Sequence, residues 1–507
     1  MQPNRNPPLF VGPSDLIRRQ VRKSNRLNPM FAVAYFCFFL VCAFLVINAP
    51  ESNTISRSYC AAILVIVALI SATVFLRKLS EPRPINWLTP ETAFTASYVV
   101  VHFLYITIWL TGVYELGDEI WYWRQADCPD VVCKTLAMCA ASLAAFQCGF
   151  CLIRSRVPVS NDYRPATLSA WQLLGKVMTR SSLLLLALFV ALIGSAFLGG
   201  NYRGSSFGFL PNVVFLIFQG LIIASVTVMV LSRASIRSNT RKLLALDMVL
   251  VLLGAFALLL HGDRSLFLVI IVTFVAAVSE FIKPIKLQTG LLAMVGLFML
   301  FGVSQIARTA DDRSIFGFYD AGREHWDKSF ELSAKTFGGS GLCAFVAVDW
   351  APERHDYYWG QLKTNDLAGL VPFGRKLFGV TQSPDTSSSH LFTFLIQGST
   401  GRVSGCGSSV FGDIYLEVGF WGASIFFLIL GVFYRYVTEK ARSSRNLLWK
   451  VAFIALIAVS SICGRYGITS LLIRHVGYPV IYTAFFAFIL GIKLVGRPNS
   501  EAPQVRY

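Results

Sequence analysis

The chain has 507 residues, 55% hydrophobic and only 14% charged, with a mean hydropathy of +0.58. Soluble proteins carry about a quarter charged residues, so this composition, with 41 phenylalanines and long apolar runs, excludes a soluble enzyme and predicts an all-α, polytopic membrane protein. The formal charge of +17 does not make nucleic acid a partner, because membrane proteins gather Lys and Arg in cytoplasmic connections for topological reasons.

Residues 1–29 are polar, basic and proline-containing, and a full-length apolar run follows them. They read as an uncleaved cytoplasmic tail rather than a signal peptide. Apolar windows then predict about twelve transmembrane helices: 30–49, 59–76, 92–111, 131–153, 181–198, 210–231, 243–260, 266–282, 287–305, 410–434, 447–462 and 478–492. Helices 1–9 fill 30–305, helices 10–12 fill 410–492, and 493–507 is a second tail. With the amino terminus inside, the inner segments hold 28 Lys/Arg against 6 Asp/Glu. Each inner connection has a basic excess, as in "SRASIRSNTRK" and "RYVTEKARSSR", which places both termini in the cytoplasm. The eleven cysteines show no Cys/His spacing suited to zinc. Cys128 and Cys133 are candidates for pairing on an oxidising face, on spacing alone. No internal repeat is visible.

Between helices 9 and 10 lies one long outer loop, 306–409. A passive connection is far shorter. Its apolar pieces "GLCAFVAVDW" (341–350) and "DLAGLVPFGRKLFG" (366–379) are too short to span and predict helices at the interface or dipping back into the bundle.

Ionisable residues gather near the outer membrane boundary. "HGDRS" (261–265) is the whole connection between spans seven and eight and carries Arg264. "ARTADDRS" after span nine carries Arg308, and the loop supplies His390 and Arg402. "GSTGRVSGCGSSVFGDIYLEVGFWGA" (398–423) leads from a glycine-rich stretch to Asp413 and Glu417, four residues apart on one helix face. "CGRYGITSLLIRHVGYP" (463–479) adds Arg465 and Arg474. Simpler readings exist for each. Asp263 and Arg264 suit a turn with an ion pair, Asp413 and Glu417 complement a helix dipole, His390 suits a packed loop, and Arg465 and Arg474 suit snorkelling to headgroups. The functional reading rests on convergence. Arginine binds phosphate bidentately and stays charged, so several arginines at one depth suit an anionic lipid headgroup such as a pyrophosphate. No GxxxxGK[ST] occurs, which leaves nucleotide hydrolysis unsupported.

Three stretches, "HGDRSLFLVIIVTFV", "SSVFGDIYLEVGFWGASIFFLILG" and "GRYGITSLLIRHVGYPV", together with the long outer loop, make the chain resemble the Wzy-type polymerases of O-antigen and related oligosaccharide repeat units, including the polymerase of enterobacterial common antigen. The resemblance covers the part of the chain from about Leu258 onward. It implies a GT-C-like fold in the bacterial inner membrane with a periplasmic loop. It implies a metal-independent glycosyltransferase without a cofactor. Donor and acceptor would be undecaprenyl-pyrophosphate-linked glycans, the bilayer would be part of the site, and a chain-length-regulating co-polymerase would be a partner.

For that chemistry, Arg264, Arg308, Arg402, Arg465 and Arg474 are the pyrophosphate candidates, since the leaving group needs charge stabilisation. Glu417 is the first candidate for the base that deprotonates the attacking hydroxyl, expected to be the more deeply desolvated of the two carboxylates. Asp413 and His390 follow. Two other functions fit parts of the pattern: an O-antigen ligase that transfers the glycan to lipid A core, and a lipid-linked glycan flippase. A flippase predicts paired halves and ionisable groups at mid-membrane.

Overall fold

The computed structural model describes residues 13–50, 55–80, 85–112, 129–157, 163–194, 208–234, 246–261, 263–309, 329–370, 374–377, 387–397 and 407–497, with isolated positions between them. The described secondary structure is helical, without a strand. In chain order the helices are α1 (Pro13–Ile47), α2 (Arg57–Leu79), α3 (Pro90–Leu110), α4 (Pro129–Leu152), α5 (Pro165–Ile193), α6 (Phe209–Ala234), α7 (Leu246–His261), α8 (Arg264–Phe281) and α9 (Leu287–Thr309). Then come α10 (Ser329–Trp350), α11 (Gln361–Leu370), α12 (Ser388–Gln397), α13 (Val410–Ser443) and α14 (Leu447–Ser460). The last is α15 (Ile468–Ile489), which contains a π turn at Ile473–Gly477.

Among the described residues nine helices, α1 to α6, α8, α13 and α15, are long and apolar enough to cross a membrane. The protein is a multi-pass membrane protein. The other three predicted spans coincide with shorter apolar stretches at 246–259, 287–300 and 447–460.

The bundle is organised around α4, whose apolar window is 94% buried against 22% for that of α1. Both α1 and α13 pack along it. The α4–α13 contact is backbone to backbone. A Cβ on Gly149 would collide with the carbonyl oxygen of Leu428, and one on Gly431 with that of Phe146. Small residues allow this approach between membrane helices, where dispersion rather than water exclusion drives packing. A second cluster joins Trp171 and Leu174 of α5 to Leu221 of α6 and Leu447 of α14. Val33, Phe36 and Phe44 on α1, Ile425 and Ile429 on α13, and Phe485 and Phe488 on α15 remain exposed, as lipid-facing side chains should.

Three boundaries differ from the sequence reading. α1 begins at Pro13, so more than half of the polar tail is already helix. α5 begins at Pro165, within the predicted 154–180 connection. Proline favours the first helical position, and Leu168, Trp171, Leu174 and Met178 recur at helical spacing and are buried. α15 begins at Ile468, ten residues before the predicted span. The π turn at 473–477 ends two residues before Pro479 and accommodates a residue that cannot donate to the helix ladder. The apolar piece 341–350 of the long loop is the second half of α10, a 22-residue helix packed on α3, α9 and α13. It dips into the bundle and does not lie along the interface.

At the end of the bundle where α2, α4 and α13 finish, charged side chains are buried. Arg77 pairs with Glu91, and Arg435 pairs with Glu439 at 3.1 Å. Arg435 also donates to the Ser155 hydroxyl, and the Arg156 N–H donates to Glu439 Oε2 at 2.5 Å. The Arg77 and Arg435 guanidiniums both lie over the Phe150 ring, 4.8 and 5.0 Å from its centroid. In the sequence these residues count only among the charges of the inner connections.

Candidate active site at the amino end of α13

The opposite end of α13 starts at Ser409. Its hydroxyl oxygen accepts the Gly412 N–H at 3.1 Å, a side-chain cap. The same oxygen lies 2.8 Å from His102 Nε2, while His102 Nδ1 lies 2.9 Å from the Tyr98 carbonyl. A carbonyl only accepts, so Nδ1 carries the hydrogen; in the neutral imidazole Nε2 is then the acceptor, and the Ser409 hydroxyl donates to it. This pins the start of α13 to α3 and directs Asp413 and Glu417 along one face.

Both carboxylates are buried, Asp413 at 0% and Glu417 at 3% relative exposure. The expected extra desolvation of Glu417 is therefore not observed. Burial demands partners, and these come from the long loop and from the first residue of α15. Asp413 Oδ1 forms an ion pair with Lys363 Nζ, and its Oδ2 accepts the Ile468 N–H at 3.2 Å. Glu417 Oε2 accepts the Gly360 N–H at 2.5 Å, and Oε1 accepts the Lys363 N–H at 2.9 Å. Gly360 immediately precedes α11 and Lys363 lies in its first turn, where backbone N–H groups have no partner within the helix. Glu417 therefore caps α11 from a neighbouring helix.

Gly419 explains how the loop reaches this far. Its φ of 66° and ψ of −171° break the helical ladder inside α13, a conformation that only glycine adopts readily. The break frees the Leu416 and Glu417 carbonyls. They accept the Tyr358 and Trp359 N–H groups at 2.9 and 3.0 Å. A Cβ at Gly419 would lie 2.8 Å from Cζ of Tyr357, so the missing side chain also makes room for the docked strand of loop. Sequence reading takes 410–434 as one uninterrupted span.

The segment 463–468 connects the remaining parts. The Arg465 carbonyl accepts the Ser408 N–H at 3.0 Å. The Tyr466 hydroxyl hydrogen-bonds with that of Ser265, next to Arg264 at the start of α8. The structure thus brings Arg264, Arg465, Asp413 and Glu417 to one end of the bundle. Asp263 caps α8 by accepting the Leu266 N–H at 3.0 Å. Arg474 is half-buried in the π turn of α15, beside the buried His475, about 9 Å further along the helix from Ile468 at 1.5 Å per residue. His390 is exposed on α12 and outside this buried cluster. Arg308 belongs to the last turn of α9, with its side chain outside the described residues, and Arg402 lies outside them altogether.

Lys363, His102, Tyr466 and Ser409 are absent from the sequence-derived candidates. Lys363 sits in a polar stretch, "QLKTNDL", that carries no motif. Gly419, in the middle of an apolar run, is the one visible signal that α13 is interrupted. Among the described residues no group of three or more His, Cys, Asp or Glu side chains could hold a metal ion. The arrangement offers two buried carboxylates, one neutralised by a lysine, at an end of the bundle that also carries Arg264 and Arg465. Each carboxylate oxygen is engaged once and retains a second lone pair. Compared with known protein families, curated proteins and solved structures, the chain matches none.

Proposed function

We infer that the protein is a membrane glycosyltransferase that polymerises undecaprenyl-pyrophosphate-linked oligosaccharide units at the outer face of the bacterial inner membrane, with twelve spans and both termini cytoplasmic. The observation that supports this reading most is the gathering of Asp413 and Glu417 with Arg264 and Arg465 at one end of the bundle. In this reading Glu417 takes the proton of the attacking sugar hydroxyl as the anomeric carbon–oxygen bond to pyrophosphate breaks. Asp413 and Lys363 hold the first turn of α11 and Glu417 in register. Arg264, Arg465 and Arg474, joined by Arg308 and Arg402, stabilise the charge that accumulates on the departing pyrophosphate. No metal is needed for that step, because guanidiniums supply the positive charge.

The test is deletion of the gene followed by electrophoresis of the surface glycan. A polymerase deletion leaves a single repeat unit on the acceptor. Loss of all glycan from the acceptor identifies a ligase instead, and an unchanged ladder refutes both.

A further inference from the structure

Cys60 and Cys133 are 73 positions apart in sequence, yet their sulfurs lie 3.9 Å from each other. Cys60 sits in the first turn of α2 and Cys133 in the first turns of α4, and both are buried. Because α2, α4 and α13 finish together at the Arg77–Phe150–Arg435 cluster, their amino ends lie together too. These sulfurs are therefore at the same end of the bundle as Asp413. Buried cysteine in a membrane helix commonly serves as a small apolar side chain, and Cys42, Cys139 and Cys463 fit that role. Cys60 and Cys133 differ in that the sulfurs of two separate helices are in contact at a helix-end position.

We propose that Cys60 and Cys133 form a disulfide in the mature protein, stapling α2 to α4 at the outer end of the bundle. A bond needs sulfurs about 2 Å apart, so side-chain rotation shared by the two residues has about 2 Å to close. The oxidant is a protein disulfide of the oxidising compartment. One cysteine thiolate attacks a sulfur of that disulfide, forming a mixed disulfide and releasing one oxidant thiolate. The second cysteine thiolate attacks the chain's own sulfur and expels the other. Two protons leave the thiols, and the oxidant disulfide is reduced to a dithiol. Since both sulfurs are buried in the folded bundle, exchange takes place during insertion, before α2 and α4 close on each other.

This rests on the outward orientation of the α13 amino end, but not on glycosyl transfer. The full-length protein is isolated from membranes, with thiols trapped by maleimide in denaturing detergent at the moment of lysis, and its peptides are mapped by mass spectrometry without reductant. The expected result is a Cys60–Cys133 cross-linked peptide pair, lighter by two hydrogens than its parts and lost on reduction. Cys148 and Cys151, at the other end of α4, should carry maleimide and serve as the internal control. Recovery of Cys60 and Cys133 as maleimide adducts overturns the proposal, as does Cys133 joined to Cys128. A reporter fused at Asp385 separates the causes. Free thiols with that reporter outside refute the disulfide alone, and free thiols with it inside refute the orientation beneath it.

Discussion

At its amino end α13 carries Asp413 and Glu417, and at its carboxyl end Arg435 and Glu439, each pair four residues apart and buried. The carboxyl-end pair is of opposite charge and meets within the helix at 3.1 Å, with Phe150 and Arg77 closing around it. The amino-end pair is of like charge and cannot satisfy itself. Its partners are Lys363, the N–H groups of Gly360 and Lys363, and the N–H of Ile468, all from other segments. The first arrangement is a closed structural tie, of the kind that apolar residues of similar volume often replace without loss of stability. The second satisfies its two carboxylates entirely through groups of α11, its preceding turn and the start of α15. Like charges buried side by side are costly to hold, and only the partners brought in from other segments offset that cost.

The contrast can be broken first at the arginines. Arg264→Ala and Arg474→Ala should abolish chain extension while leaving the protein in the membrane, and lysine should not rescue either, because an ammonium lacks the bidentate fork. Glycan electrophoresis beside immunoblotting reads both. Full rescue by lysine at both positions removes bidentate pyrophosphate recognition from the proposal.

Next in size is the carboxylate pair. Glu417→Gln should lower chain extension by roughly 10²–10⁴-fold at unchanged protein level if Glu417 is the base. Glutamine cannot accept from both Gly360 and Lys363, since its amide nitrogen is a donor, so a cost of about 1–3 kcal/mol for the unpaired N–H accompanies the loss. Thermal unfolding of the purified protein measures that part separately. Asp413→Asn should lose less activity. Normal chain lengths from both variants refute the catalytic reading and make His390 the next candidate.

At the other end of α13 the effect should fall on folding alone. Glu91→Ala leaves Arg77 buried without its carboxylate and should cost about 3–5 kcal/mol, seen as reduced protein in the membrane. The double replacement Arg77→Met with Glu91→Leu should restore much of that amount, with normal activity per molecule. Reduced activity per molecule in the double variant would mean that this end also serves the reaction.

The smallest effect is expected at the cap. Ser409→Ala removes the acceptor of the Gly412 N–H and the donor to His102, and should cost about 1 kcal/mol. A thermal shift assay checks it. A small activity loss without a change in stability would instead make Ser409 a positioning residue for Asp413.

Much of the architecture was legible in the chain. Apolar run length locates nine long apolar helices among the described residues, because hydrocarbon admits only apolar helices with their backbone bonds satisfied internally. The i, i+4 relation of Asp413 and Glu417 follows from helical geometry alone. Helix ends were less legible, as at Pro165 and Ile468, because a helix continues past the hydrocarbon wherever neighbours bury its polar turns. The contacts that define the site lie beyond any local pattern. Lys363 is 50 residues from Asp413, and Ser409 is 307 from His102, so only the folded chain places them together.

What the sequence alone determined is the solvent, a bilayer, and with it an all-α bundle whose charged residues mostly lie toward the ends of the apolar runs. What only the tertiary structure decided is which buried charges answer one another. Burial makes a partner obligatory, since an unpaired charge in the interior is too costly to persist. It does not say from where the partner comes. The break at Gly419, the reach of α11 and the approach of the α4 and α13 backbones settled that for Asp413 and Glu417 at one end and for Arg435 and Glu439 at the other.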